Sequence, residues 1–166
     1  MTIRRFRNAV PTDASRCFDI EAAAYGGEEA ATFEKIARRI GAYPQGFLVL
    51  EVDATIAGFI NSGCAHDVEM SDDDFKELIG HDPAAAHVVI MSVVVDPVFQ
   101  GRGLSGALMD EFVKRMISLG KKSIHLMCRE HHVPLYERFG FCYAKPSASE
   151  HGGGQWHEMM RDLPNA

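Results

Sequence analysis

The chain has 166 residues, with 17 basic side chains against 23 acidic ones and a formal charge of −6 at pH 7. That length builds one ordinary domain over residues 1–166, and a content of 46% hydrophobic and 24% charged residues is that of a globular protein. With no basic cluster, no nucleic-acid partner is expected. The longest apolar run, Val88 to Val95, is interrupted by Ser92 and falls well short of the roughly 20 residues that span a bilayer, so no membrane partner is expected. The basic N-terminus leads into no apolar stretch of the signal-peptide kind, so a cytoplasmic location is expected. Cys17, Cys64, Cys128 and Cys142 are too scattered for a zinc-type pair. They read as free thiols, and no metal is expected.

Apolar and charged residues alternate at the start of Thr2 to Ala9, which predicts a first strand. Pro11-Thr12-Asp13 opens a helix that Thr12 or Asp13 can cap. Ala14, Cys17, Phe18, Ala24 and Tyr25 share one of its faces. A second helix runs from about Glu29 to Ile40, with Phe33, Ile36, Ala37 and Ile40 as its apolar stripe. Phe47 to Val52 and Ile56 to Ser62 form a hairpin that turns near Asp53-Ala54. The polar stretch from Cys64 to Ala86 holds an acidic run from Ser71, which can cap a short helix through Ile79. So long a connection is either a lid or binding loop or a solvated insertion.

His87 to Val95 is β-branched throughout most of its length and predicts a central strand covered on both faces. Leu104, Ala107, Leu108, Phe112, Met116 and Leu119 mark a helix that Gly120 ends. Lys122 to Cys128 is a strand parallel to the central one, which completes a βαβ unit. A short helix near Val133 to Phe139 carries Pro134 in its first turn. Strands near Phe141 to Ser147 and Gln155 to Arg161 flank the Gly152-Gly153-Gly154 loop.

The densest motif is Asp96-Pro97-Val98-Phe99-Gln100-Gly101-Arg102-Gly103-Leu104-Ser105-Gly106, with three glycines in six residues at a helix start. The first amides of a helix lack internal partners and carry partial positive charge. Glycines let a phosphate approach the backbone closely, and Arg102 adds a cation. The spacing is neither a P-loop nor a dinucleotide fingerprint. A tight strand-to-helix corner would produce the same glycines.

Val95-Asp96-Pro97 followed by Gln100-Gly101-Arg102-Gly103-Leu104-Ser105 resembles the acetyl-coenzyme A motif of the GNAT (Gcn5-related) N-acetyltransferases, with Ser105 in place of the usual Gly or Ala. Pro134-Leu135-Tyr136-Glu137-Arg138-Phe139-Gly140-Phe141 resembles a second signature of that family. Leu126-Met127-Cys128 and Val133 to Phe141 are similar to the arylalkylamine (serotonin) subfamily. The resemblance implies an α/β GNAT fold. Its central mixed sheet has seven mostly antiparallel strands and about four helices, with a parallel βαβ unit at the cofactor cleft. It implies acetyl-CoA as co-substrate, an amine acceptor of arylalkylamine or polyamine type, and a monomer or homodimer.

The resemblance also assigns roles. Backbone groups of Val93, Val94 and Val95 pair with pantetheine, and an amide at Val93 or Val94 polarises the thioester. Gln100, Gly101, Arg102, Gly103, Leu104, Ser105 and Gly106 surround the pyrophosphate, while Val93 and Met127 border the acceptor. Tyr136 matches the acid that protonates the departing thiolate. The subfamily's histidine pair falls on Val89 and Met91, which cannot serve as a base. His87, on the same face, and Glu21, among apolar helix positions, are the candidate bases. Cys128 is not expected to form an acetyl intermediate. A non-catalytic acetyl-CoA sensor and a protein lysine or N-terminal acetyltransferase are the competing readings.

Overall fold

The computed structural model describes residues 1–26, 29–70, 73–148 and 154–165. Seven strands lie in the order β1-β2-β3-β4-β5-β7-β6. They are β1 (Arg4–Asn8), β2 (Phe47–Val52), β3 (Thr55–Ala65), β4 (His87–Val95), β5 (Ser123–Cys128), β6 (Cys142–Pro146) and β7 (His157–Asp162). Four α-helices are present among the described residues: α1 (Ala14–Ala24), α2 (Phe33–Ala42), α3 (Leu104–Ser118) and α4 (Val133–Arg138). β4 and β5 are parallel, whereas β1–β2, β2–β3, β5–β7 and β6–β7 are antiparallel. The mixed α/β architecture expected of a GNAT fold is therefore present. Among the described residues no helix is long and apolar enough to cross a membrane.

Contacts divide the chain into two compact units. The first comprises Met1–Ser62 and Ser92–Phe112. Its core holds Cys17 and Ile20 of α1, Ile36 and Ile40 of α2, Phe47 and Val49 of β2, Phe59 of β3 and Val94 of β4. Phe47 and Phe59 stack at 5.3 Å between centroids. The β2–β3 turn is two residues long, with φ of 49° at Asp53 and 67° at Ala54. Positive φ at both central positions is the primed turn that matches strand twist. Asp53 is held there by main-chain and side-chain bonds to Ile3 at 2.8 and 2.9 Å.

Several expected boundaries move. The Asp13 carboxylate does not cap α1. It accepts from the Val10 amide at 2.8 Å and from both Arg7 Nη atoms at 2.7 and 3.0 Å, because a guanidinium fork outcompetes a neutral amide. α2 begins at Phe33 rather than Glu29, where Thr32 Oγ1 accepts from the Lys35 amide at 3.2 Å. Phe33 leaves the buried stripe and is 40% exposed, with its ring edge-on to Phe18, while Arg39 is buried in its stead. β3 continues to Ala65, past the expected end at Ser62.

The second unit comprises Gly63–Met91 and Val113–Ala166. Here the polar connection is not a solvated insertion. Met70 and Phe75 are buried with Ala65 and Val89, and Val68, Met91 and Met127 pack against them. Its short helix is a 3-10 turn over Asp73–Glu77 rather than a helix through Ile79. The capping role assigned to Ser71, and Gly152-Gly153 of the glycine loop, lie outside the described residues. The far end of the connection is anchored. Lys121 Nζ donates to the carbonyls of Pro83 and Ala85 at 2.5 and 2.7 Å, and the Cys64 amide donates to His81 Nδ1 at 2.9 Å.

Candidate functional site

The glycine-rich motif sits in the first unit, between β4 and α3. Asp96 organises its start. Its Oδ1 accepts from the Val98 amide at 3.0 Å, and its Oδ2 takes Arg16 Nη2 at 2.6 Å. Burial pushes this carboxyl up, but the Val98 amide and the Arg16 guanidinium outweigh burial and hold it below the usual carboxylate range. The chain then turns through Pro97–Phe99 into an exposed Gly101-Arg102-Gly103 segment. Gly101 and Gly103 have φ of 80° and 73° with open space where a Cβ would stand. Glycine is required there by backbone conformation, not by crowding.

α3 starts at Leu104, and the Ala107 amide bonds to the Gly103 carbonyl at 3.2 Å. The amides of Leu104, Ser105 and Gly106 therefore precede the helical ladder. Ser105 and Gly106 are half-buried, so the departure at Ser105 leaves a small side chain beside these amides. Arg102 lies over the Phe99 ring at 5.3 Å and remains exposed. This segment can hold an anion by backbone amides, helix dipole and one guanidinium.

The adjoining end of β4 is fixed from both sides. The Asp96 amide bonds to Ala57 of β3 at 2.8 Å. By alternation, the backbone groups of Val93 and Val95 point away from β3. The Tyr25 hydroxyl donates to the Val93 carbonyl at 2.8 Å, and Gln100 Nε2 donates to the Val95 carbonyl at 3.2 Å. Gln100 thus braces the strand end. Burial, with Glu21 adding to it, pushes the Tyr25 hydroxyl well above its ordinary value, so it stays protonated as a donor. Sequence reasoning placed Tyr25 on the apolar face of α1 without a role for its hydroxyl, and missed Arg16, because α1 was read only for that face.

Glu21 is buried on α1 at 2% exposure. Its Oε2 accepts from the Ala31 amide at 2.9 Å, which ties the end of α1 to the segment leading into α2. Burial raises this carboxyl, and the Ala31 amide, the Ser92 hydroxyl and Arg39 only partly compensate. Among the described residues Oε1 has no hydrogen-bond partner.

Tyr136, His87 and Met127 belong to the second unit. Tyr136 is buried on α4, edge-on to Phe139 and Phe141 at 6.0 and 5.9 Å. The Phe141 amide bonds back to the Tyr136 carbonyl at 3.0 Å, which closes the helix against the start of the next strand. Met127 is half-buried on β5, where its sulfur accepts from Ser147 Oγ at 3.2 Å. Cys128, next to it, is buried, and burial pushes its thiol up to about 11. A thiol so held carries little thiolate at neutral pH. Arg129 lies over the Trp156 ring at 4.0 Å.

His87 is half-buried, with Nδ1 2.6 Å from Ser123 Oγ. Sequence reasoning missed Ser123 and its neighbour His125. Both are visible as alternate residues of β5, but their pairing with β4 is fixed only by the parallel register, His87 to Ser123 and Val89 to His125. Among the described residues no group of three or more His, Cys, Asp or Glu side chains is placed to hold a metal ion.

The sequence profile of the family described as Acetyltransferase (GNAT) family matches residues 12–141. A curated relative, Acetyltransferase ECA0875 of Pectobacterium atrosepticum, is 31% identical over 109 residues. The match spans 64% of this chain and 64% of that protein's length. The loading GNATL domain of CurA from Lyngbya majuscula superposes with a TM-score of 0.83 at 18% identity, over 96% of this chain and 98% of that one. A phosphinothricin acetyltransferase of the GNAT superfamily from Sinorhizobium meliloti, in complex with acetyl-CoA, superposes with a TM-score of 0.69 at 17% identity, over 96% and 88%. At such identities these two structures speak for the fold alone.

Proposed function

The chain belongs to the GNAT acetyltransferase family, and from that premise we propose that it transfers acetyl from acetyl-CoA to a small primary amine with an apolar body. One observation carries the cofactor half of this reading. The positive-φ glycines at 101 and 103 deliver the chain into α3 with the amides of Leu104, Ser105 and Gly106 ahead of the helical ladder. That geometry suits a pyrophosphate. Pantetheine adds along the edge presented by Val93 and Val95, whose backbone groups point away from β3.

The acceptor half rests on the docked connection. Met70, Phe75, Met91 and Met127 pack in one apolar cluster, and methionines adapt to ligands of irregular shape. An arylalkylamine suits such a wall better than a polyamine does. Tyr136 protonates the departing thiolate. A thiol pKa near ~8.5 makes that assistance useful without requiring a strong acid. Cys128 takes no part.

The reading is tested by thiol release from acetyl-CoA with 2-phenylethylamine, spermidine and lysine peptides as acceptors. Acetyl-CoA binding is measured beside it by calorimetry. Tyr136→Phe is expected to lower kcat by ~10²- to 10⁴-fold and to leave acetyl-CoA affinity unchanged. Tight acetyl-CoA binding without turnover of any amine would overturn the enzymatic reading in favour of a cofactor sensor. Preference for peptides over free amines of equal basicity would overturn the acceptor class.

A further inference from the structure

Two histidines and a serine meet on the paired stretch of β4 and β5. Ser123 Oγ lies 2.6 Å from His87 Nδ1 and 2.8 Å from His125 Nε2. The two rings stand edge to face at 5.9 Å between centroids. Ser123 is 3% exposed, so its hydroxyl is left to these two rings rather than to water. A hydroxyl carries one proton; it donates to one ring and accepts from the other. With both rings neutral the chain of bonds has two polarities. They differ by the passage of one proton from end to end, which is the property of a proton relay.

The placement gives the relay a direction. His125 is the last residue of β5 paired with β4, opposite Val89. Beyond that pair β4 continues through Ile90 and Met91, and β5 through Leu126 and Met127, without pairing to each other. His125 therefore stands where the strands part, on the face that also carries Met91 and Met127. His87 lies at the start of β4, half-buried. Burial first, and the neighbouring His87 second, hold the His125 imidazole below the ordinary histidine range, with Asp162 opposing in part. Asp162 faces Ser123 from β7, and the residue facing His125 there is the uncharged Met160.

We propose that His125 is the base that deprotonates the acceptor amine, and that Ser123 and His87 relay the proton to solvent. The inference rests on the amine-acetylation reading. The ammonium gives a proton to His125 Nδ1. His125 Nε2–H passes its proton to Ser123 Oγ, the serine proton moves to His87 Nδ1, and His87 Nε2–H releases one to water. The free amine attacks the thioester carbon, the new C–N bond forms, and the C–S bond breaks. The second nitrogen proton replaces the one that Tyr136 gives to the sulfur. In sum, ammonium and acetyl-CoA yield amide, coenzyme A thiol and one proton. His125 is the catalytic residue of this scheme; Ser123 and His87 act through it.

The relay is tested first without any acceptor, by nitrogen-15 NMR of the histidine rings against pH in wild type and Ser123→Ala. A His125 titration that moves when Ser123 is replaced, read on both of its ring nitrogens, is the expected result. An identical His125 titration in the two proteins would overturn the relay. In kinetics with 2-phenylethylamine and spermidine, His125→Gln is expected to lower kcat by ~10²- to 10⁴-fold at unchanged acetyl-CoA affinity. It should also abolish the acidic limb of kcat/KM, which in wild type lies below the usual histidine value of about 6.5. Ser123→Ala should lower kcat by a smaller factor and shift that limb. A folded His125→Gln with wild-type rate and pH profile would overturn the assignment of the base. Wild type that turns over neither amine while its His125 titration depends on Ser123 would overturn the amine reading and uphold the relay.

Discussion

Replacing Gly58 by alanine probes how tightly β3 holds β4 at the cofactor end. A Cβ at residue 58 would stand 2.5 Å from the Val94 carbonyl oxygen, 3.1 Å from Leu108 Cδ1 and 3.2 Å from Val95 Cα. Real Cβ contacts essentially never fall below 3.0 Å, so the strands must part by at least 0.5 Å, the difference between 3.0 and 2.5. The obstructing atom is main chain, and it cannot swing aside as a side chain would. Its neighbourhood is pinned by the 2.8 Å bond from the Asp96 amide to Ala57. Overpacking of this kind costs about 1–3 kcal/mol, offset by the ~0.5–1 kcal/mol that alanine gains over glycine in a strand. Taken at mid-range, about 2 less ~0.75, the net loss is about 1 kcal/mol, or ~2–4 °C in Tm for a domain of this size. The displaced carbonyl belongs to the strand proposed to pair with pantetheine, so acetyl-CoA affinity should fall as well. Thermal unfolding by circular dichroism and calorimetric titration with acetyl-CoA measure both. Gly41→Ala is the control, because nothing lies within 4 Å of its Cβ position. A Gly58→Ala protein within about 1 °C of wild type, with wild-type acetyl-CoA affinity, would refute the reasoning.

Gly103→Ala meets open space but keeps a φ of 73°, so it should cost about 1–2 kcal/mol of backbone strain and weaken acetyl-CoA binding, read by the same two methods. For Asp13, burial pushes the carboxyl up, but the bonds from Arg7 and the Val10 amide outweigh it and leave the carboxyl below its ordinary value. A depressed folded-state pKa contributes stability that is present above the unfolded value of ~3.9 and is lost as pH falls through the folded one. Urea unfolding at pH 7 and pH 3 should therefore show a smaller acid loss in Asp13→Asn than in wild type. Lys121→Met removes two charged hydrogen bonds, to Pro83 and Ala85. Such bonds are worth roughly 1.5–3 kcal/mol each, so amide exchange should rise across residues 80–86 with little change in β1–β2. Cys128→Ser should retain acetyl transfer, because the buried thiol, at about 11, is not a nucleophile at neutral pH; loss of all turnover in a folded variant would contradict direct transfer.

The sequence by itself determined the order of strands and helices, the glycine turn into α3 and the family. These are local properties: β-branched runs, helical periodicity, and glycines where φ must be positive are legible from a few neighbouring residues. Tertiary structure decided everything that depends on which strand lies beside which. Asp13 leaves the cap of α1 for Arg7, a guanidinium that Glu51 of β2 also holds, whereas the start of α2 at Thr32 rests on its own local bond from the Lys35 amide. The Cys64 to Ala86 stretch looks polar in sequence, yet its few apolar residues, Met70 and Phe75 among them, find β4 and β5 and bury. Ser123 and His125 lie 36 and 38 residues beyond His87 along the chain, by subtraction of their numbers. Only the parallel register puts one hydroxyl between two imidazoles, since a slip of one residue would turn each side chain to the opposite face.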